Sequence, residues 1–523
     1  MDKIKDFFIK KEFLAIIFLF LFSVLFNQYY GNRGAFPHDS FAHFETGFRI
    51  LSGEHPFKNY WIISGPFIDY IQGLFFYLFG VNWKSYVFHA SFFNGILTII
   101  TFLVFRSFKI NTYYSFIYSF LFSILAYPSS GTPFVDHHSA FLSLLGIYCI
   151  LLGIKDEKNL YWILFPVFFF CAFLSKQVPS AYIMIPIVPI LCFYFFEQKK
   201  LKPILISFFT GVFLILFLFL FGLINGISLT SFIEQYILYP QSIGKGRIQN
   251  LMNISPLGVF GNFKFIFIIL VILIYINIKG FLNFKKYYKK KELYYFLIIF
   301  FFTIALIFHQ ILTRNQIFIF FLIPFLAGFL HIYIKTTKKI FYYIIIIFCI
   351  FVTTKYHLRF NEGRKFHELI NANLNIAVDA KKIDNKLLGL KWITPQYQEN
   401  PEFEIKKINE IKNILKNDQR KKMVLSNYPF LSVILEQQFF STTRWHVFDG
   451  TDYPQIGNKY LISYKNLFHK ILLNNNIEVI YTISPVRNKN IYDYIDFNCF
   501  VEKELNENIS SFTLKKCDDL NLS

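Results

Sequence analysis

Apolar runs of about 17–25 residues, the length that a bilayer selects, recur from Phe13 to Thr354, and no other feature of the sequence restricts the fold as strongly. A helix rises about 1.5 Å per residue, so each run can cross a hydrocarbon core of about 30 Å. Helices of soluble proteins are polar on one side. These runs are apolar all round, as burial in lipid or in a bundle requires. The expected spans are 13–30, 85–106, 112–127, 138–154, 160–175, 178–196, 203–224, 257–279, 293–312, 316–334 and 340–354. Residues 66–80 are apolar too, but Pro66 and the short length predict a helix lying at the interface rather than crossing. The first run follows a basic start, and bulky Asn27-Gln28-Tyr29-Tyr30 offers no small-x-small cleavage site, so an uncleaved first helix is expected.

Charge sets the expected topology. The formal net charge is +20. Lys and Arg fall in short clusters between apolar runs, with no aromatic-interleaved basic face, which argues against nucleic acid as a partner. With the N-terminus inside, alternate loops on that side carry 20 basic residues, against 8 in the opposite loops before the tail. A bias of that sign places the basic loops in the cytoplasm. A twelfth crossing at 66–80 would invert every later loop. With eleven crossings the tail from Lys355 lies outside, together with long loops at 31–84 and 225–256. The expected fold class is an all-α polytopic membrane bundle of about 11 helices (1–354, with those two loops) carrying a C-terminal soluble α/β domain (355–523). Within the tail, Lys422–Ser426, Glu478–Ile483 and Ser510–Lys515 read as strands and Glu404–Asn417 as a helix. Four cysteines lie in apolar runs. Cys499 and Cys517 lie in the tail, where one disulfide between them is an open alternative.

Ionisable residues gather at the expected outer ends. Asp39 precedes a helical stretch, so it is either an N-cap or a carboxylate placed to take a proton from an acceptor hydroxyl or to bind a metal. His43, four residues on, can share its face, and Glu45 with Arg49 reads as a structural i,i+4 pair. Asp136-His137-His138 stands at the mouth of a helix, where such groups are costly without a task. Asp136 is either a cap or part of a polar or divalent-metal site with Asp39 and His137, for which Mn, Mg or Zn would be suitable. Lys176, beside Gln177, is either a snorkelling lysine or a donor to a phosphodiester. Arg314 follows His309 and Gln310, and Lys245 and Arg247 occupy a Gly-rich stretch. These four cations would make a pocket for a polyprenyl-phosphate head group if they converge.

Several short motifs run in a familiar order: Asp39, Gly53-Glu-His-Pro56, Gly65-Pro66, Leu78-Phe79-Gly80, Lys176-Gln177-Val178-Pro179 and Arg314 leading to Pro324. In this the chain resembles the integral-membrane glycosyltransferases of the GT-C fold, in particular the group related to protein O-mannosyltransferases and aminoarabinose transferases, over about residues 10–340. The resemblance implies inverting transfer from a polyprenyl-phosphate sugar to an acceptor on the outer face of a bacterial inner membrane. It gives Asp39 the role of base or metal contact and makes Asp136 the second-loop acid. His-Asp replaces the family's Asp-Glu, and Gln177 replaces a Gly. The expected partners are the lipid-linked donor, membrane lipid and an acceptor that the sequence does not name. Mn or Mg is the metal that such a site would take. The competing readings are a lipid or solute transporter, for which no inverted repeat is found, an O-antigen polymerase or ligase, and an assembly protein whose tail binds a partner.

Overall fold

The computed structural model describes residues 2–244, 255–283, 290–313, 318–334, 339–447, 449–486 and 491–515. Packing divides the chain into two units. One comprises Met1–Asn32, Val87–Phe217 and Arg247–Phe366; the other comprises Arg33–Tyr86, Leu218–Gly246 and His367–Ser523. The tail therefore shares a unit with both long loops, and the division falls inside the loops rather than at 354.

Eight helices among the described residues are long and apolar enough to cross a membrane: Lys11–Gly31, Trp83–Ser107, Val135–Asp156, Gln177–Gln198, Lys202–Asn225, Pro256–Gly280, Lys291–Leu312 and Ile340–His367. The helix Lys202–Asn225 leaves Phe208, Phe213, Leu216 and Phe217 exposed. A stripe-free apolar helix of this kind is stable against lipid, not against water. The chain is a multi-pass membrane protein.

The expected count of eleven is corrected to eight full-length helices. The segments expected at 112–127, 160–175 and 316–334 form the shorter helices Thr112–Leu125, Asn159–Ser175 and Leu322–Tyr333. Fourteen, 17 and 12 residues give lengths of about 21, 26 and 18 Å, short of a full hydrocarbon core. Thr112–Leu125 starts at the Asn111 cap, which accepts from Tyr114 N, and stops where Ala126 leaves helical geometry. Pro66–Phe79 is likewise a 14-residue helix, and it packs on Pro37–Leu51.

Within the bundle unit, glycines set how close helices come. Val135–Asp156 pairs antiparallel with Asn159–Ser175. A Cβ on Gly146 would meet the Phe169 ring at 2.6 Å, and one on Gly153 the Trp162 ring at 2.8 Å. The absent side chains are the sockets for those rings. Gly131, at φ +78°, lies against Gly31, where an added Cβ would be 2.4 Å from the Gly31 Cα. Asn27 Nδ2 donates to Gly131 O at 3.1 Å. Buried Arg364 donates to Pro128 O at 2.8 Å and Ser130 O at 3.0 Å. The turn before Val135 is thereby fixed from both sides.

The second unit carries a four-stranded sheet in the order β3-β4-β6-β5, with β3 Lys422–Leu425, β4 Val479–Ile483, β5 Phe500–Asn506 and β6 Ile509–Leu514. A two-residue pair, β1 Val378–Asp379 and β2 Lys391–Trp392, stands apart from it. β3 and β4 are parallel, so a crossover must join them, and the helix Leu461–Asn474 supplies it. The three strands read from the sequence are present, as is the helix, at Pro401–Asn417; β5 was not foreseen. The sheet's core contains Met423, Phe468, Ile480 and Phe512, and takes in Trp61 from the first loop and Tyr239 from the second. Trp61 N donates to Thr442 O at 2.7 Å, and Tyr239 OH to Gly450 O at 2.6 Å. Cys499 is disulfide-bonded; Cys517 lies outside the described residues.

The glycine sockets yield a stability test. Gly153→Leu must displace the buried Trp162 ring, an overpacking cost of about 1–3 kcal/mol, and should lower the thermal midpoint of the detergent-solubilised protein. Gly211→Leu, at a position with no atom within 4 Å, should leave the midpoint unchanged. Equal responses would show that the sockets do not set the pairing.

Candidate functional site

The end of one helix and the start of the next create the main polar cluster of the bundle unit. Asn159–Ser175 ends at Lys176, which is extended, and a new helix opens at Gln177. The break frees the Lys176 carbonyl, which accepts from Ser139 Oγ at 3.1 Å and Ser180 Oγ at 3.2 Å. The Lys176 side chain points at the first turn of Val135–Asp156, where its Nζ lies 2.7 Å from Asp136 Oδ2. The other Asp136 oxygen is 3.5 Å from His309 Nε2, and Gln310 Nε2 is 3.3 Å from His309 Nδ1. Two helices and the break between two others thus contribute an acid, an imidazole and an ammonium to one place. Asp136 is 7% exposed at its side chain and Lys176 20%. The carboxylate is enclosed, while the Lys176 side chain is partly exposed.

The sequence offered Asp136 as a cap or part of a polar or metal site, and Lys176 as a snorkelling lysine or a donor to a phosphodiester. The residue capping Val135–Asp156 is Phe134, and Asp136 stands inside the first turn, where the helix dipole also favours a carboxylate. Its nearest partner is Lys176. His137 turns to Ser129, with Nε2 3.0 Å from Oγ, and stacks on Tyr127. His138 bonds Tyr127 OH through Nδ1 and faces His89, Nε2 to Nε2, at 3.0 Å. Gln177 is half-buried, and its carbonyl accepts from Ser180 Oγ. Arg314, Lys245 and Arg247 lie outside the described residues. Among the described residues no group of three or more His, Cys, Asp or Glu is arranged to hold a metal. Of the metal set expected from Asp39, Asp136 and His137, Asp136 faces Lys176, His137 is turned to Ser129, and Asp39 belongs to the other unit.

In that other unit, Asp39 is half-buried in the first turn of Pro37–Leu51. It is not the cap: Phe36 occupies that position, and its N–H donates to Ser40 Oγ at 2.9 Å. His43 does project from the same helix but bonds Asp69, Nδ1 to Oδ1 at 2.7 Å, and Thr46 donates to the same oxygen. Burial pushes the His43 imidazole below its ordinary value against the opposing pull of Asp69. Arg49 pairs with Glu54 at 2.6 Å and more loosely with Glu45 at 3.4 Å, and lies over the Tyr60 ring at 4.1 Å. Burial opposes the Arg49 charge, yet Glu54 and Glu45 hold the guanidinium above its usual range. For Glu45 burial wins over its long contact with Arg49 and pushes the carboxyl up to about 8.

Sequence reasoning missed the tail's share of this region. Thr443, Arg444, His446 and Asp452 are all buried, and Thr443 Oγ1 donates to Asp452. Burial raises the Asp452 carboxyl to about 7 and lowers the His446 imidazole to about 3. The signal in the sequence was the run Thr442-Thr443-Arg444-Trp445-His446, dense in polar and aromatic residues but matching no named motif. Comparison adds no name to either region: no protein-family model and no curated protein matches the chain.

Two stability predictions follow from these groups. Removing one member of an enclosed ion pair strands the other, at a cost of about 3–5 kcal/mol. Asp136→Ala should therefore destabilise the protein strongly in mixed-micelle unfolding. The double variant Asp136→Leu with Lys176→Met should recover most of the loss, and additive losses would show that the two do not interact. The second prediction concerns pH. A carboxyl with a raised folded pKa keeps its proton while the unfolded chain has lost it, so stability falls as pH rises toward that value. Buried histidines with lowered values act the other way, but only up to about pH 6.5, their unfolded value. Between pH 6.5 and 8 the carboxyls act alone. Thermal midpoints should fall across that interval, and Asp452→Asn should flatten the fall; a rise would contradict the sign.

Proposed function

We propose that the chain is a membrane glycosyltransferase that moves a sugar from a polyprenyl-phosphate donor to an acceptor hydroxyl. The observation that carries this reading is the Asp136–Lys176–His309 cluster. Ionisable groups enclosed in an apolar bundle are expensive and mark function, and here the cation is the member left partly exposed. An ammonium has three N–H donors. Asp136 takes one at 2.7 Å, which fixes the side chain and leaves the others for phosphate oxygens.

The chemistry then follows from where charge develops. The acceptor oxygen attacks the anomeric carbon on the face opposite the phosphate, and the C–O bond to the phosphate breaks with inversion. The leaving lipid phosphate gains a negative charge, which the Lys176 ammonium stabilises. Asp136 positions Lys176, with His309 beside it. Asp39 keeps the role that the resemblance gives it and takes the proton of the acceptor hydroxyl. In this reading the bundle is of GT-C type, and the tail lies on the outer face of a bacterial inner membrane.

The test is transfer from a panel of polyprenyl-phosphate hexoses and pentoses by purified protein in proteoliposomes. Lys176→Ala should lower kcat/KM on the order of 10²–10³-fold, as expected for one lost charge-stabilising donor, with partial recovery in Lys176→Arg. Asp39→Asn should lower kcat about 10²–10⁴-fold with the fold intact. Turnover near wild type in either variant removes that residue from the mechanism. A transporter also encloses charge pairs, and the Asp136–Lys176 pair favours it as the second reading. Uptake of donor lipid or sugar without transfer would establish that reading instead.

A further inference from the structure

Arg444 is a buried charge without a fixed counter-charge. The residue is 4% exposed, yet its Nε has no hydrogen-bond partner and the side chain enters no ion pair among the described residues. Two carboxyls feel its field, Glu45 and Asp452. Neither is committed to it: Glu45 contacts Arg49, and Asp452 accepts from Thr443. Both are buried and held toward their protonated forms, up to about 8 and about 7. Arg444 pulls each back toward its ionised form, but burial is the larger effect. His446, also 4% exposed, has a buried Nε2 with no partner. Enclosed polar atoms are almost always satisfied, so two orphans on one short segment need an explanation. Leaving a buried charge unpaired is also among the costliest arrangements a protein can keep.

A bound anion removes the anomaly. The guanidinium fork matches a carboxylate or phosphate, and a neutral imidazole can donate one further hydrogen bond. Trp445 is partly exposed, and its ring centroid is 5.6 Å from the Arg444 guanidinium. An aromatic face beside the cation suits an anion carried on a ring with an apolar side better than a bare ion. We propose that Arg444 and His446 bind the acid group, carboxylate or phosphate monoester, of a sugar whose ring packs on Trp445. The anion-binding claim stands by itself. Its assignment as the acceptor site, making the acceptor an acidic carbohydrate, rests on the glycosyltransferase reading.

The experiment uses the purified full chain in detergent without donor. Glucuronate, glucose 6-phosphate, glucose and inorganic phosphate are titrated by ligand-observed saturation-transfer NMR. At least one acid sugar should bind tenfold or more tighter than glucose, and which one distinguishes carboxylate from phosphate. Arg444→Gln should weaken that binding tenfold or more while leaving the thermal midpoint unchanged or higher, because a buried charge without a fixed counter-charge is gone. Trp445→Ala should weaken the acid sugar and spare inorganic phosphate. The proposal is overturned if no acid sugar exceeds glucose, if inorganic phosphate binds as tightly as the sugars, if Arg444→Gln binds within twofold of wild type, or if Arg444→Gln lowers the midpoint and so marks a structural arginine. A chain that binds acid sugars yet transfers none sinks the transferase reading alone.

Discussion

The fit of Phe169 and Trp162 against Gly146 and Gly153 fixes how Val135–Asp156 and Asn159–Ser175 lie against each other, and the bundle's polar cluster depends on it. Helices in an apolar medium gain little from the hydrophobic effect and associate through close packing. Two rings seated over two glycines leave one axial register without collision. In that register the first turn of one helix meets the last residue of the other, so Asp136 and Lys176 come to 2.7 Å. A shift of one turn, about 5.4 Å, would separate the charges and leave each enclosed alone. Packing therefore sets the electrostatics here, and the ion pair in turn penalises any slip.

The same order of causes explains what the sequence could and could not reveal. Apolar runs and strand patterns are local, so the long helices, the three tail strands and the helix at Pro401–Asn417 could be read from the chain. Lengths were harder to read. Apolar residues near Tyr127 and Phe318 extend the hydropathy of their segments, but the backbone leaves helical geometry at Ala126, and the later helix begins only at Leu322. Of the site residues, Asp136, Lys176 and His309 stood out because charges are rare beside such runs. Their mutual pairing did not, because it comes from ring-on-glycine contacts that hydropathy does not encode. Asp69 was invisible for another reason: it lies within an apolar segment, and it becomes a partner of His43 only when Pro66–Phe79 packs on Pro37–Leu51.

The tail was the least legible part of the chain. As a separate domain it would need its own core, yet Trp61 and Tyr239 from two distant loops complete that core. Trp61 and Tyr239 serve a sheet encoded far downstream, so their own neighbours in sequence do not account for them. The polar residues of the tail have the same dependence. Whether Arg444 is paired cannot be judged from its neighbours in sequence, since the acids that feel it include Glu45 of the first loop.

Buried cations in this chain are treated in two ways. In the bundle, Lys176 has a carboxylate at bonding distance, and Arg364 spends its fork on two backbone carbonyls. In the other unit, Arg49 has Glu54 and an aromatic face. All three have fixed partners within the fold, and removing those partners would leave an uncompensated charge in a medium that cannot solvate it. Arg444 differs from them. Its potential partners are drawn to Arg49 and Thr443 and are biased by burial toward their neutral forms. A buried charge that the fold pairs so loosely is the arrangement expected of a residue retained for something that is not part of the chain.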